Sequence, residues 1–298
     1  ASAIGDLSDA ITTATSNIGL GSGALDSLTA SSGTYNVALG INAGTAITTG
    51  DRNIAIGFEA LDTATTAFDN TVIGYLAGNT LTGSTNVYVG NQAGRTATTG
   101  SSNIGIGYQA LYATAEGNDN VAIGRRAGFN VGGSGSSRWN TLVGNYAGED
   151  VTTGQGNTLI GYRTGDEITT GQLNVILGTN AVSNTGANPS KSVIAGYQSG
   201  YSHSGTDNVF LGYRSGFASS GGTGGNNTGV GASSLLALTS GADNIGIGHN
   251  AGDNITTGNN NVVIGAADVP SATGNDQLSI SSGDGGVTWI EGNSDGIV

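Results

Sequence analysis

Few side chains in this sequence belong to the types that make or break bonds. His203 and His249 stand 46 residues apart. Imidazole is the side chain best placed to act as acid, base or metal ligand near neutral pH. Two of them so far apart, each in a turn-like stretch, read as solvated or turn-capping residues. The carboxylates are scattered, and Asp69, Asp119, Asp207 and Asp243 each precede an asparagine, which is turn chemistry. A glycosidase needs two carboxyl groups within about 5–10 Å. Only grooves between several copies of the chain would bring these so close, so a polysaccharide depolymerase spike is the third-ranked reading. Gly221–Asn227 (GGTGGNN) lacks the lysine of a phosphate loop and the Gly-Gly-x-Gly-x-Asp unit of a calcium repeat, and reads as a turn insertion. Without cysteine there is no thiolate nucleophile, zinc-thiolate site or disulfide framework. The expectation is a chain that is not an enzyme and carries no cofactor or metal.

The elements that would have to position any site are set by an unusual composition. Of 298 residues 55 are glycine and two are proline, with no methionine. The formal charge is −13, from 8 basic and 21 acidic residues. With Lys191 as its only lysine, such a chain is a poor binder of phosphate backbones, so nucleic acid is not an expected partner. No apolar run reaches 18 residues, so no membrane insertion by a helix is expected. The start at Ala1-Ser2, without a charged-then-apolar leader, reads as a processed chain or the ordered part of a longer one. Absence of cysteine and methionine suits an oxidising, extracellular setting.

The dominant feature is a repeat. Its unit is Asn, an aliphatic or Thr, a variable residue, an aliphatic and Gly, as in NVALG, NIAIG, NVYVG and NTLIG. Fifteen copies run from Asn17 to Gly265, with closing glycines 16 to 20 residues apart. A small residue follows in each second half (Ala43, Ala60, Ala93, Ala147, Ser215), and many units close on Thr-Thr-Gly. Such a period is too short for a propeller blade or a helical repeat. The fold class is all-β, a β-solenoid of about 15–17 coils of ~17 residues. Residues 1–275 form the repeat domain, and 276–298 a C-terminal non-repeat segment.

Period-two alternation assigns a face to each column. The second position (Ile18, Val37, Ile54) and the fourth (Leu20, Leu39, Ile56) are expected to fill the coil, and the third to face outward. In five successive coils the third column is Leu142, Leu159, Ile176, Ile194 and Phe210. An exposed apolar ridge of that length calls for burial against other copies, so these five are the expected subunit interface. The closing glycine is expected at positive φ, and the repeat asparagine to bond its counterpart one coil away.

Two sets of residues are candidates for binding. Aromatics follow the closing glycine at Phe58, Tyr75, Tyr108, Tyr162, Tyr197 and Tyr213; stacked on one side, they offer a stripe for carbohydrate. The longest interval holds Arg125, Arg126, Arg138 and Trp139, a basic-aromatic loop suited to an anionic glycan.

The NVAIG unit with its following Ala-Gly resembles the head repeats of trimeric autotransporter adhesins, and is equally similar to the shaft repeats of bacteriophage tail fibres. That resemblance implies a left-handed β-roll and a parallel homotrimer with the third column on the axis. Near the C-terminus, Leu278, Ile280, Trp289, Ile290, Gly292, Asn293, Ser294 and Gly296 resemble the junction ahead of a self-cleaving chaperone domain in tail fibres. The resemblance therefore implies a virion tail-fibre segment in an extracellular setting. It would attach to a host-surface glycan and join other virion fibre or baseplate proteins. The alternative is a bacterial cell-surface adhesin head, which a coiled-coil stalk and membrane anchor following in the gene would mark.

Overall fold

The computed structural model describes residues 10–12, 16–28, 32–132, 137–219, 221–293 and 296–297. It is an all-β chain, a β-solenoid of about 15 turns of ~17 residues, with no helix among the described residues. Two compact units divide it, Ala1–Gly154 and Gln155–Val298. The first holds β1 (Ala10–Thr12), β2 (Ile18–Leu20), β3 (Val37–Leu39), β4 (Ile54–Ile56), β5 (Thr71–Ile73), β6 (Val87–Val89), β7 (Ile104–Ile106), β8 (Val121–Ile123) and β9 (Thr141–Val143). The second holds β10 (Thr158–Ile160), β11 (Val175–Leu177), β12 (Val193–Ala195), β13 (Val209–Leu211), β14 (Thr228–Val230), β15 (Ile245–Ile247), β16 (Val262–Ile264), β17 (Leu278–Ser281), β18 (Thr288–Asn293) and β19 (Gly296–Ile297).

Within each unit the repeat strands pair in parallel and in strict register. Ile18, Gly19 and Leu20 face Val37, Ala38 and Leu39, and Val193, Ile194 and Ala195 face Val209, Phe210 and Leu211. The register continues past residue 275, since Val262 and Ile264 pair with Leu278 and Ile280. Only then does the pattern change, as β18 returns antiparallel on β17. The outlying copy Ser2–Gly5 and the junction residue Ser294 lie outside the described residues.

The coil turns at backbone positions in the left-handed region. The closing glycines up to Gly248 lie near φ 130–140°, as at Gly40 (138°) and Gly107 (134°), with Gly265 at 100°, and a Cβ on Gly40 would stand 2.5 Å from the carbonyl oxygen of Gly57. Stacking, not just turning, therefore demands glycine there. The residue before each repeat asparagine is left-handed too, including Asp69, Asp119, Asp207 and Asp243 at φ 57–59°. The asparagine itself is buried and bonds along the stack. Asn103 Nδ2 donates to Gly117 O (2.7 Å), and its Oδ1 accepts from the backbone N–H (3.0 Å) and Nδ2 (3.1 Å) of Asn120. The same ladder joins Asn208, Asn227, Asn244 and Asn261 in the second unit, where Gln277 ends it. Replacing Asn103 by alanine removes these bonds and strands buried partners, at about 1–3 kcal/mol each. We expect a loss near 3 kcal/mol by chemical denaturation. A change under 0.5 kcal/mol would mean that the ladder only fills space.

Burial reverses the expected orientation of the strand. The third column lines the coil interior: Ala38, Val72, Tyr88, Leu142, Leu159, Ile176, Ile194 and Phe210 are all completely buried within a single chain. Leu142, Leu159, Ile176, Ile194 and Phe210 are therefore core residues and not the subunit interface. The second and fourth columns point outward instead, and Ile104, Ile123, Val175, Leu177, Ile245 and Ile247 stand about two-fifths exposed.

The reason is volume. Four residues after each closing glycine comes a second interior position, itself left-handed. It is glycine beside the large Tyr88, Leu142, Leu159, Ile194 and Phe210 (Gly94, Gly148, Gly165, Gly200, Gly216). It is leucine in the coils of Gly19, Ala55, Gly105 and Gly229, where Leu25, Leu61, Leu111 and Leu235 take φ of 49–54° and are buried. Coils that are small at both positions are filled by their own buried aliphatic seven residues after the glycine (Ile47, Val131, Ile255) and from their neighbours. A Cβ on Gly128, in the coil of Ala122, would lie 2.8 Å from Leu142 and 3.0 Å from Leu111. A leucine costs roughly 1 kcal/mol or more in left-handed backbone. Closing a cavity of its own size offsets that cost.

Candidate functional site

The corner following each closing glycine carries the aromatics. Phe58 stacks on Tyr75 (centroids 5.5 Å apart, planes at 17°), and Tyr197 on Tyr213 (5.7 Å, 10°). One-coil register produces the stacks, since residues at one position in the unit lie one strand spacing apart, about 4.8 Å. A second aromatic column, which sequence reasoning missed, sits five residues after the glycine. There Tyr112 stacks on Phe129 (4.8 Å, 10°) and Tyr201 on Phe217 (5.2 Å, 6°). The spacing Gly-x-x-x-x-aromatic at Gly107, Gly124, Gly196 and Gly212 is the signal that could have found it. Tyr162, like Tyr197 and Tyr213, is close to half exposed.

Guanidinium groups cap these ladders. Arg125 lies over the rings of both Tyr108 (5.9 Å) and Tyr146 (5.3 Å), while Arg126 covers Phe129 (4.1 Å) and pairs with Glu149 (2.6 Å). In the second unit Arg214 covers Phe217 at 3.9 Å. Arg138 and Trp139 do not join Arg125 and Arg126. Arg125 and Arg126 follow β8 at its C-terminal end. Arg138 bridges Asn118, ahead of the start of the same strand, and covers the exposed ring of Trp139. The candidate loop therefore contributes to two opposite corners of the coil, not to one patch. Residues 133–136 of that loop lie outside the described residues.

His203 and the Asp253–Asp268 pair are not part of these ladders. His203 is buried against Phe210 (5.0 Å), and its Nδ1 accepts the N–H of Gly205 at 3.2 Å, so it caps a turn from inside the coil. Burial holds its pKa down at about 4. Because the unfolded value is near 6.5, the neutral histidine's share of stability is complete above that pH. It is lost as pH falls from 6.5 toward 4, to a total of about 3 kcal/mol. Asp253 works in the opposite sense. Burial and a hydrogen bond shared with Asp268 lift its pKa to about 6. Denaturation of wild type against His203→Leu isolates the histidine: the variant should lose less stability between pH 6.5 and 4.5, and parallel curves would exclude the assignment.

Asp253 and Asp268 line a cleft of about 360 Å³ with His249, Asn250 and Asp284. Two carboxyl groups sharing a hydrogen bond are closer than the spacing that admits a water between glycosidase carboxylates, about 6.5–9.5 Å. Among the described residues no group of three His, Cys, Asp or Glu side chains is placed to hold a metal ion. Among the same residues, no helix is long and apolar enough to cross a membrane. Compared with protein-family models, curated proteins and solved structures, the chain matches none.

Proposed function

We propose that this chain is a structural and attachment protein: a β-solenoid segment of a phage tail fibre or similar receptor-binding appendage, assembled as a parallel homotrimer. The observation that carries this reading is the outward face of the repeat strands. Coil after coil presents two largely aliphatic columns, Ile or Val with four Thr in the second and Ile, Val or Leu in all but one coil of the fourth, an apolar strip of a length soluble monomers rarely keep in water. In a three-fold assembly these columns meet along a common axis, in place of the third column that the sequence suggested. The aromatic and guanidinium ladders on the glycine-following corner would then be displayed three times over, and weak single contacts would add as avidity. The repeat's resemblance to fibre shafts supports the assignment to a virion. Its equal similarity to adhesin heads makes a cell-surface adhesin the second reading.

Attachment is tested by mixing the fluorescently labelled chain with a panel of bacterial cells. The expected result is retention on some strains and release by their own extracted surface polysaccharide, with the polysaccharide left at full length. New reducing ends would instead identify a depolymerase. Retention on none of the strains would overturn the reading.

A further inference from the structure

Three coils share a local design in which an arginine sits two residues after the closing glycine. They are Gly124–Phe129 (GRRAGF), Gly161–Asp166 (GYRTGD) and Gly212–Phe217 (GYRSGF). In each the arginine takes left-handed backbone, with φ of 53°, 52° and 52° at Arg126, Arg163 and Arg214. Two of the three are neutralised. Arg126 pairs with Glu149 at 2.6 Å, and Arg163 Nε pairs with Asp166 at 2.7 Å. Arg214 is different. Among the described residues no carboxylate pairs with it, and its buried Nε, like that of Arg126, makes no hydrogen bond.

Its surroundings explain why. Arg214 N–H donates to Tyr197 O (2.9 Å) and Ser233 N–H to Tyr213 O (2.8 Å), which fixes the neighbouring coils. The equivalent corner residues there are Tyr197, Gln198 and Tyr201 on one side and Ala232, Ser233 and Leu236 on the other, none of them acidic. Of the three arginines at this position in the unit, Arg214 is thus the one without a counter-charge. The guanidinium is pinned 3.9 Å over Phe217, itself stacked on Tyr201. The preceding residue, Tyr213, stacks on Tyr197 as a half-exposed platform.

We infer that Arg214, with the Tyr197–Tyr213 platform, is a binding site for a carboxylate-bearing saccharide. The tyrosine faces would carry the sugar ring and the guanidinium edge would take the carboxylate. Planar guanidinium matches a carboxylate through two parallel N–H···O bonds. Aromatic rings with a polar rim suit the apolar face of a pyranose. Because the guanidinium is already held by Phe217, little side-chain freedom is lost on binding. The inference deepens the attachment reading by naming the ligand class.

The test is calorimetric titration of the full chain with an oligoglucuronate and, in parallel, a neutral oligoglucose of equal length. Wild type should prefer the acidic oligomer by about tenfold or more. Arg214→Gln should abolish that preference with an unchanged circular dichroism spectrum, and Arg214→Lys should restore part of it. Arg163→Gln, at the neutralised site, should bind as wild type does. Tyr213→Ala should weaken both ligands, because it removes the platform and not the charge. Equal binding of the oligoglucuronate by wild type and Arg214→Gln, or no binding by wild type, would overturn the site. If wild type and Arg214→Gln adhere equally to cells, attachment stands and this site falls. If wild type prefers oligoglucuronate but adheres to no cell, the site stands and the attachment reading falls.

Discussion

Phe210→Ala should lower the stability of the second unit by roughly 3–5 kcal/mol, the usual cost of emptying a buried phenylalanine site. Phe210 is fully buried, and a Cβ placed on Gly216 would lie 2.6 Å from its ring. Gly216→Leu alone should therefore be as damaging, because a side chain is forced into occupied space. The two changes should rescue one another. Phe210→Ala with Gly216→Leu rebuilds the pairing seen at Ala55 with Leu61, where a left-handed leucine fills the space a small third residue leaves. We expect the double variant to recover more than half of the summed loss in a denaturant series, a coupling of several kcal/mol. Contacting core residues ordinarily couple by about 0.5–3 kcal/mol. Additive losses would show that the two positions do not share one interior volume, and the account of why the third column turns inward would fail.

The second large effect concerns assembly. Ile245, Ile247 and Ile264 are 38%, 42% and 39% exposed on the outward face of β15 and β16. In a lone chain, glutamate at such surface positions changes stability by about 0.5 kcal/mol or less per site. In a trimer core the same charges would be buried without partners, at several kcal/mol each. Ile245→Glu/Ile247→Glu/Ile264→Glu should therefore reduce the native mass from three chains to one, while the far-ultraviolet spectrum still shows β-structure. Charge on the interior column should act differently: Ile194→Glu should unfold its coil and not merely separate chains. A wild-type chain that stays a single, well-folded molecule at micromolar concentration would remove the trimer. The outward columns would then need another covering.

Much of the fold was legible in the sequence alone. The repeat placed every strand from β2 to β16, the glycine-rich turns predicted left-handed backbone, and Asn-to-Asn bonding along the stack followed from identical residues recurring at one position. The aromatic stacks at Tyr197 and Tyr213 were legible for the same reason. The partnership of Arg125 and Arg126 with Arg138 and Trp139 was not. Closeness in sequence says nothing about which end of a three-residue strand a flanking side chain occupies. Arg214 was invisible as a site, because what distinguishes it from Arg126 and Arg163 is the lack of an acid at the matching corner positions of its own and adjoining coils.

The sequence by itself determined the period, the all-β class and the residues that must stand in line. Only the tertiary structure decided which face of the strand is inside. Alternation assigns faces when apolar and polar residues alternate, but in strands such as Val175-Ile176-Leu177 all three positions are apolar, so either orientation buries hydrocarbon. The choice is made by room. A coil this narrow accepts one side chain from its strand beside the small and aliphatic residues of its second half, such as Ser234, Leu235 and Leu238. Only the third column, small wherever its partner is leucine and large only where that partner is glycine or valine, fits that space.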